Sequence, residues 1–437
     1  MRGLFVVGGR VRGTVGDEDD ASTAVLSDYV GQLLQVRHLS VLMGAGASFH
    51  LGSPQIRNLS NQVIAEVVAG SQEALSPLEL AALRCLNPTD AGDLEILLTT
   101  LQSALSFASA TKAQALVIDG KDHEVETLVS LRRKLNWSLA AQCRLPRPGF
   151  PRSLRPKWDA HQTFFARLLR SRRADLPRPR IFTTNYDLVI ERSLDGLGVP
   201  YIDGFSGTIE RRMNLETYNY DIYRTHAATQ EVVGRVDSML HIYKLHGSLN
   251  WRFDAEGQAG TVVTREIPDA PQGDDGLVLI YPTPAKERDT LAFPYSDLLR
   301  LFSNTLQVPD TALLCIGYGF ADEHINRIIT GSLSSNQSLS LLVVDPMGVY
   351  GNPDLLLGLK PDVGKTVADV GIEPAKTRTA ALAAIQDSRI SYITGESAKF
   401  ENFASVMPDP NRFESGDDKS SLAIQIQEVA AQLGLQK

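Results

Sequence analysis

Residues 39–52 have the sequence LSVLMGAGASFHLG, and this stretch decides the class of fold that the chain predicts. Leu39 to Met43 form a short apolar run that ends in the glycines Gly44 and Gly46, which is typical of a buried parallel strand followed by a tight turn. Residues 58–69 have the apolar spacing of an amphipathic helix. A strand, a glycine-rich turn and a helix together predict the opening of a doubly wound α/β domain.

Further strand-like runs follow along the chain, and helical stretches such as 187–194 and 322–332 lie between several of them. This alternation predicts a mostly parallel, Rossmann-like sheet with helices on both faces. The predicted strands are residues 180–183, 200–202, 242–245, 277–281, 313–316, 341–344 and 390–393.

The same patterns divide the chain into four parts. Residues 1–38 are predicted as an N-terminal segment, loosely docked over its first 20 residues, and a helix over 22–36. Residues 39–70 and 143–350 form the α/β domain. Residues 71–142 are helical with no strand-like run, which indicates a helical insertion, and residues 351–437 form a C-terminal extension that ends in a helix over 420–435.

Charge and composition exclude several classes of protein. Apolar residues make up 43% of the 437 and charged residues 22%, which excludes a disordered or fibrous chain. The net charge of −8 disfavours a dedicated duplex-DNA binder. Residues 144–180 are nevertheless basic, with 11 Arg or Lys against 2 Asp. A DNA-associated role rests on that zone alone, and a solvated arginine-rich surface is the other interpretation.

Cysteine content and hydropathy indicate the compartment. Cys85, Cys143 and Cys315 are odd in number and far apart, which excludes a disulfide framework and a four-cysteine zinc site and fits a reducing cytosol. The sequence has no apolar stretch of 18 residues. We therefore expect a soluble, cytoplasmic protein that does not associate with membranes.

Three polar motifs follow predicted strands, and each has a chemical and a structural interpretation. The small residues of Gly44–Ser48 allow a pyrophosphate to approach the backbone, or they form a packing turn. In FTTNYD, Asn185 is suited to orienting a ribose hydroxyl or a water, while Asp187 can simply cap the next helix. In KLHGSLNW, His246 is either a general base or a satisfied core histidine.

Two more motifs complete the set. CIGYGFAD is a predicted strand followed by a glycine turn at Gly317 and Tyr318 and then a helix. LVVDP ends in Asp345, which can bond a ribose hydroxyl or begin a turn before Pro346. The order of all five motifs at strand ends is more specific than any one of them.

This ordered set resembles the sirtuin family. GAGASFHLGSPQIR is similar to the sirtuin NAD-binding opening, in which Gly52, Pro54 and Arg57 match. TTNYD is similar to the sirtuin T-Q-N-x-D box and KLHGSLNW to its His-Gly box. The sequences of the motifs, including GYGFADEHIN, resemble those of the bacterial sirtuin-like proteins of antiphage defence systems. The resemblance covers about residues 39–59 and 179–346.

The resemblance implies a sirtuin-like, NAD-binding catalytic domain and assigns roles to its residues. Asn185 and His246 would be catalytic: Asn185 would bond the nicotinamide ribose and order the attacking water, and His246 would act as general base. Asp187 would lie on the nicotinamide side. Gly44, Ala45 and Ser48 would hold the pyrophosphate of NAD. Arg57 would hold a phosphate or a ribose. Gly317, Tyr318 and Asp345 would contact the adenosine half.

Two departures from the family pattern bear on the activity. Sirtuin deacylases carry two paired cysteines after the His-Gly box, whereas this chain has no CxxC, and only Cys315 follows His246. Ile56 stands where deacylases place a phenylalanine that shields the reacting sugar. Both departures favour water over an acyl-lysine as the acceptor. The implied activity is that of an NAD glycohydrolase, which cleaves NAD to ADP-ribose and nicotinamide without a metal.

The resemblance also implies a biological role. Such enzymes deplete NAD during phage infection and are held silent beforehand in a homo-oligomer, or by a partner such as a HerA-type ATPase, an Argonaute-like protein or a nucleotide-sensing domain. Two alternatives stay open, namely an NAD-dependent protein deacylase and a non-catalytic module that binds NAD or ADP-ribose.

Overall fold

A computed structural model describes residues 3–8, 10–15, 20–54, 56–70, 73–87, 94–145, 155–254, 263–266, 277–279, 293–346 and 387–409. The helices are α1 (Asp20–Leu34), α2 (Ile56–Ala69), α3 (Pro77–Leu86), α4 (Leu94–Thr111), α5 (Val125–Gln142), α6 (Arg155–Ser171), α7 (Val189–Leu197), α8 (Tyr295–Gln307), α9 (Glu323–Ser335) and α10 (Phe400–Val406). The described residues also form 3₁₀ helices at Ala45–Leu51, Leu215–Asn219 and Glu396–Ala398.

The strands are β1 (Gly3–Val7), β2 (Arg10–Val15), β3 (His38–Met43), β4 (Ala115–Ile118), β5 (Lys121–Glu124), β6 (Arg180–Thr183), β7 (Tyr201–Ile202), β8 (Phe205–Ser206), β9 (Arg211–Met213), β10 (Tyr223–Thr225), β11 (Val232–Arg235), β12 (Leu240–Lys244), β13 (Gly247–Asp254), β14 (Val263–Glu266), β15 (Leu277–Leu279), β16 (Thr311–Ile316), β17 (Ser340–Val344) and β18 (Ile390–Ile393).

A nine-stranded sheet forms the centre of the protein, in the order β2-β1-β18-β17-β16-β3-β6-β12-β7. All neighbours from β18 to β7 are parallel. Alternate residues of β3 face opposite sides: Leu42 packs in one apolar cluster with Phe182, and Val41 and Met43 pack in the other with Phe164. Because both faces are covered, apolar residues predominate in these strands, with buried polar exceptions such as Ser40 of β3 and His241 of β12. The prediction of a doubly wound, mostly parallel α/β fold is confirmed.

The edge beyond β18 differs from the prediction. Residues 3–8 and 10–15 are not loosely docked, because β1 pairs antiparallel with β18, and β2 pairs with β1. Phe5 and Val6 of β1 are buried in the two core clusters. The strand that pairs with β1 lies almost 400 residues away in sequence, so local patterning gives no sign of it. The central sheet thus extends past residue 350, and the predicted helix over 420–435 lies outside the described residues.

The described residues between 56 and 142 form a mainly helical region with its own apolar core. Helices α2 to α5 contribute to one cluster that includes Val63, Val67, Leu97, Leu101, Leu131 and Leu135. The expectation of a purely helical insertion is wrong at residues 115–124, where β4 and β5 form a hairpin. Its turn residues Asp119 and Gly120 both have positive φ, as a tight Asp-Gly hairpin turn requires. Among the described helices, none is long and apolar enough to cross a bilayer.

A second sheet follows the central one, in the order β15-β13-β14-β9-β8, with antiparallel pairing. The run at 277–281, which the strand pattern assigns to the parallel sheet, contributes β15 to this second sheet instead. A short apolar run indicates a strand but not its neighbour, which explains the error. Strand β13 begins at Gly247, three residues after β12 ends, so the second sheet starts at the carboxyl edge of the first.

Arginines of the basic zone are used inside the molecule. The buried guanidinium of Arg172 donates to the carbonyl oxygens of Leu34, Val36, Arg37 and Pro177. Arg167 donates to three carbonyls at the end of α10 and pairs with Asp409. These bonds hold α6 against its neighbours, which is a structural use of positive charge rather than a nucleic-acid surface.

Candidate active site

The carboxyl ends of five strands meet in one row at one edge of the central sheet. The last residues of β3, β6, β12, β16 and β17 are register partners of one another across the sheet: Met43, Thr183, Lys244, Ile316 and Val344. The candidate site residues of each predicted motif follow one of these strand ends within a few residues. The structure therefore brings all five motifs to the same edge, where open α/β sheets bind their ligands.

Two glycine turns pack directly on one another at this edge. Gly44 N–H donates to Ile316 O (3.0 Å), Gly46 N–H to Gly317 O (2.9 Å) and Gly317 N–H to Val344 O (3.0 Å). Gly317 has φ +60°, and a Cβ built on it would lie 2.2 Å from the backbone nitrogen of Ala47. The glycines are thus required for packing, as the structural interpretation holds. Pyrophosphate binding by Gly44 and Ala45 stays a prediction.

Asn185 is held in a fixed orientation between two strand ends. Its backbone N–H donates to Thr183 Oγ1 (3.0 Å), and that hydroxyl donates to Met43 O (2.9 Å). Its side-chain Nδ2 donates to Gly44 O (3.1 Å) and lies 3.4 Å from Ser48 Oγ. Because the protein holds the nitrogen of the amide, the direction of the amide oxygen is set as well.

A buried polar network lies beside Asn185. Asp187 Oδ1 accepts the N–H of Val189 (3.0 Å), the first residue of α7, although Leu188 and not Asp187 occupies the N-cap position of that helix. The Ser48 hydroxyl also bonds this carboxylate. Burial raises the pKa of Asp187, and the neighbouring Lys244 charge opposes that shift. Lys244 Nζ donates to Asp187 O and to Glu191 Oε1 (2.9 Å), which makes a buried ion pair beneath the site.

His246 pairs with a carboxylate from another strand end. Its Nε2 lies 2.9 Å from Asp322 Oδ2, and both side chains are less than a tenth exposed. Because an ionised carboxylate only accepts, Nε2 is the nitrogen that donates to Asp322, and in that tautomer Nδ1 is the acceptor of the ring. The Tyr186 ring lies 6.5 Å from that of His246, and Tyr186 O accepts the N–H of Leu249 (3.0 Å). These contacts join the Asn185 loop to the His246 turn.

Asp322 is the main residue that the sequence does not assign to the site. Its Oδ1 accepts the N–H groups of His324 (2.9 Å) and Ile325 (3.3 Å) and so caps α9, while Oδ2 faces His246. An acid directly before a predicted helix indicates a cap, and capping uses only one carboxylate oxygen. The second carboxylate oxygen, which capping leaves free to bind another group, is the sequence feature that could have indicated a further role. Its partner His246 lies 76 residues away in sequence, so the sequence does not identify it.

Two further predicted residues, Tyr318 and Asp345, lie at the same edge with different surroundings. Tyr318 is buried, and its hydroxyl lies 3.1 Å from Asn326 Oδ1 and 3.3 Å from Asp322 O, so it braces the loop before α9. Asp345 follows β17, is half-buried, and donates its backbone N–H to Ile393 O (3.1 Å). Ile56 and Arg57 begin α2, and their side chains lie outside the described part of the chain. Their roles stay predictions.

A second polar network begins just after His246. Ser248 Oγ donates to Asn250 Oδ1 (2.7 Å), and Asn250 Nδ2 donates to Glu266 Oε1 (2.7 Å). Arg211 pairs with both Glu266 and Asp203. Burial, and then the Asp203 charge, raise the pKa of Glu266 to about 7 against the opposing charge of Arg211. The described residues contain no group of three or more His, Cys, Asp or Glu placed to hold a metal ion. The absence of zinc stays a prediction.

Fold and site together define a Rossmann-like α/β protein with polar loops at the carboxyl edge of its sheet. Residues 179–349 match the family described as SIR2-like domain. That span contains Asn185, Asp187, His246 and Asp322, whereas the Gly44 turn lies outside it. Over these residues the chain is thus similar to that family, in agreement with the sirtuin resemblance of its motifs.

Two solved structures are also similar to the chain. One is a triply substituted Sir2 homologue in complex with 2′-O-acetyl ADP-ribose, at 14% identity and a TM-score of 0.35, covering 86% of this chain and 94% of that one. The other is a singly substituted Sir2 homologue in complex with ADP-ribose, at 14% identity and a TM-score of 0.33, covering 82% and 95%. No curated protein sequence matches this chain.

Proposed function

We propose that this protein is an NAD glycohydrolase. The reaction is the cleavage of the bond between nicotinamide and ribose: NAD⁺ and water give ADP-ribose, nicotinamide and a proton. The observation that carries the proposal is the pairing of His246 with Asp322 beside a fixed Asn185, at the carboxyl edge and within the SIR2-like segment.

The chemistry asks for few groups, and this edge supplies them. Departure of nicotinamide leaves an oxocarbenium-like sugar, so catalysis depends on positioning and electrostatic support. Asn185 would present its amide oxygen to a ribose hydroxyl or to the attacking water. His246 would take the proton from that water or hydroxyl at the nitrogen remote from Asp322, and the Asp322 carboxylate would stabilise the imidazolium that forms.

The rest of NAD would lie along the same edge. Asp187 would face the nicotinamide, and Ser48, which bonds both Asn185 and Asp187, would set the distance between the nicotinamide and pyrophosphate ends. The other proposed contacts are those of the sirtuin resemblance: Gly44, Ala45 and Arg57 for the pyrophosphate and its ribose, and Gly317, Tyr318 and Asp345 for the adenosine half.

Water is proposed as the acceptor on the basis of the segment after His246. Here the chain carries the network of Ser248, Asn250, Glu266 and Arg211 and no CxxC. A deacylase would need a cleft for an acyl-lysine, which in sirtuins a cysteine-bound zinc supports. Release of free ADP-ribose rather than an acylated product distinguishes the two activities.

For the biological role, we propose the NAD-depleting effector of a cytoplasmic antiphage system. The resemblance of the motif sequences to those of bacterial sirtuin-like defence proteins supports this role. An enzyme that consumes NAD needs a silent state, and a change from under 1% to over 99% active requires about 5.5 kcal/mol of differential binding. A homo-oligomer or a partner such as a HerA-type ATPase could supply such an energy over a large interface.

The test is an assay of NAD products on the purified chain, with and without an acetylated peptide, and on each oligomeric fraction. We expect nicotinamide and ADP-ribose in equal amounts and no acetylated ADP-ribose. Asn185→Ala should lower kcat strongly with little change in KM, while Asn304→Ala, an exposed amide on α8, should leave both unchanged. Intact NAD in every fraction would contradict the proposal and favour a binding module.

A further inference from the structure

The opposite edge of the central sheet contains a cavity that the proposed reaction does not use. Strands β3, β6 and β12 begin there, at His38, Arg180 and Leu240. The cavity is open to solvent, has a volume of about 660 Å³, and is lined by Arg37, Arg178, Arg180, Asp221, Arg235 and His241. That volume is in the range typical of sites for small molecules, about 300–1,000 Å³. The length of the strands separates it from Asn185 and His246.

The lining is rich in positive charge although the chain carries a net charge of −8. Asp221 lies between Arg178 (2.7 Å) and Arg235 (3.4 Å) and compensates part of their charge. Asp175, which also borders the cavity, is paired with Arg173 outside it.

Two arginines of the lining have no carboxylate partner among the described residues. Arg180 donates to the Thr305 hydroxyl (3.1 Å) and to the Tyr243 hydroxyl, and both of these partners are neutral. Arg37 is exposed at the cavity rim and forms no ion pair with any described residue. The charge of these two guanidiniums is thus available to a ligand.

His241 adds an unpartnered polar group to the same cavity. His241 is 6% exposed, and neither of its ring nitrogens has a hydrogen-bond partner within the described part of the chain. His241 is the register partner of Arg180 on the neighbouring strand. Buried polar groups in native proteins are nearly always hydrogen-bonded, so an imidazole of this kind indicates a ligand that supplies the missing partner. Burial, and then the Arg180 charge, lower the pKa of His241 to about 4, so the ring is neutral and retains one N–H donor.

We propose that this cavity binds a small molecule with adjoining phosphate groups, of the size of a nucleoside triphosphate. Guanidinium groups bind phosphate oxygens in a bidentate manner, and Arg37 and Arg180 have donors to spare for them. The His241 N–H would donate to a further phosphate oxygen. The cavity is larger than a single phosphate group, so we infer a ligand with more than one phosphate.

The position of the cavity also gives binding a structural consequence. Asp221, just before β10, and Arg235, the last residue of β11, both lie at the base of the hairpin that these two strands form. Strand β11 exposes the apolar side chains of Val232 and Val233 at 66% and 68% exposure. A ligand on Arg235 would hold the base of the hairpin against the central sheet.

Binding is tested by calorimetry with ATP, inorganic triphosphate and inorganic phosphate at constant ionic strength. The test variant is Arg37→Gln with Arg180→Gln. The control variant is Arg212→Gln with Arg327→Gln, which removes equal charge from two exposed surface arginines. We expect at least tenfold weaker triphosphate binding in the test variant and less than a twofold change in the control. Equal affinity in both variants, or no binding to the wild type, would overturn the proposal.

Three further measurements keep the result unambiguous. Arg37→Gln alone, at an exposed position, should weaken binding even if the double variant fails to fold. Saturating ADP-ribose should leave ATP binding intact, whereas full displacement would locate the ATP at the carboxyl edge and contradict the proposal. Hydrogen exchange should slow at residues 232–241 when triphosphate binds. Similar affinities for ATP and inorganic triphosphate would show that the phosphates provide the recognition, and tighter ATP binding would add a contact to the nucleoside.

Discussion

The two edges of the central sheet differ in how completely their ionisable side chains are paired. At the carboxyl edge Lys244 is paired with Glu191 and His246 with Asp322. At the amino edge Arg37 and Arg180 have no carboxylate partner among the described residues. Paired groups hold a fixed geometry, which suits chemistry on a bound substrate. Unpaired guanidiniums suit a ligand that brings its own negative charge. This difference supports the two proposals, a reaction at the carboxyl edge and anion binding at the amino edge.

The largest effect is expected from His246→Ala. Loss of a general base should lower NAD turnover by about 10³-fold, or ~4 kcal/mol in the activation free energy. At the amino edge Arg37→Gln should leave turnover within twofold, and His226→Ala, an exposed histidine, serves as the matched control. Near-normal turnover in His246→Ala would remove the catalytic assignment from the carboxyl edge.

Gly317→Ala tests whether the carboxyl edge depends on the packing of its two glycine turns. The new Cβ would meet the Ala47 nitrogen at 2.2 Å in a residue with φ +60°, so backbone must shift. We expect a loss of about 3 kcal/mol in the free energy of unfolding in urea. Gly319→Ala is the control, because no described atom lies within 4 Å of its Cβ position. A loss below about 1 kcal/mol for Gly317→Ala would mean that the turns adapt easily.

Asp322→Asn separates the two functions of one side chain. Asn caps helices about as well as Asp, so stability should change little, but the charge that faces His246 is lost. We expect a kcat about tenfold lower, equal to ~1.4 kcal/mol. Asp322→Ala should add a loss of about 1 kcal/mol in stability because the cap of α9 is removed as well. An unchanged kcat in Asp322→Asn would reduce Asp322 to a structural cap.

The smallest effect concerns Glu266, where two carboxylates share the charge of Arg211. Its pKa is raised from 4.5 to about 7 in the folded protein, so the folded protein binds the proton of Glu266 more tightly than the unfolded chain does. The stabilising contribution is complete below pH 4.5 and is lost as the pH rises through about 7. After allowance for partial exposure, we expect wild type to lose ~1 kcal/mol between pH 5 and pH 8 relative to Glu266→Gln. Parallel pH profiles of denaturant unfolding in the two proteins would contradict this shift.

Much of the fold could be predicted from local pattern, and the exceptions have a common cause. The strands β3, β6, β16, β17 and β18 coincide closely with apolar runs, because strands buried on both faces are apolar throughout. Pairing between segments that are distant in sequence has no local pattern that predicts it. Such pairing places β1 beside β18 and β15 beside β13.

The same reasoning applies to the site. Residues that follow strands were predictable as a group, because parallel strands end at one edge. The partners of those residues were not: Asp322 meets His246, and Glu191 meets Lys244, only in the folded chain. The arginine cavity was less visible still, because Arg37, Arg178, Arg180 and Arg235 come from separate segments. Only the two of them that lie in the basic zone, Arg178 and Arg180, stand out in sequence.

Hydrogen exchange with and without NAD on the inactive His246→Ala protein tests the central claim most directly. We expect slower exchange at residues 44–51, 184–190 and 317–325 when NAD binds, and no change at residues 35–38, 176–180 and 232–241. Protection confined to the second group, or none at any NAD concentration that saturates binding, would contradict the assignment of NAD to the carboxyl edge.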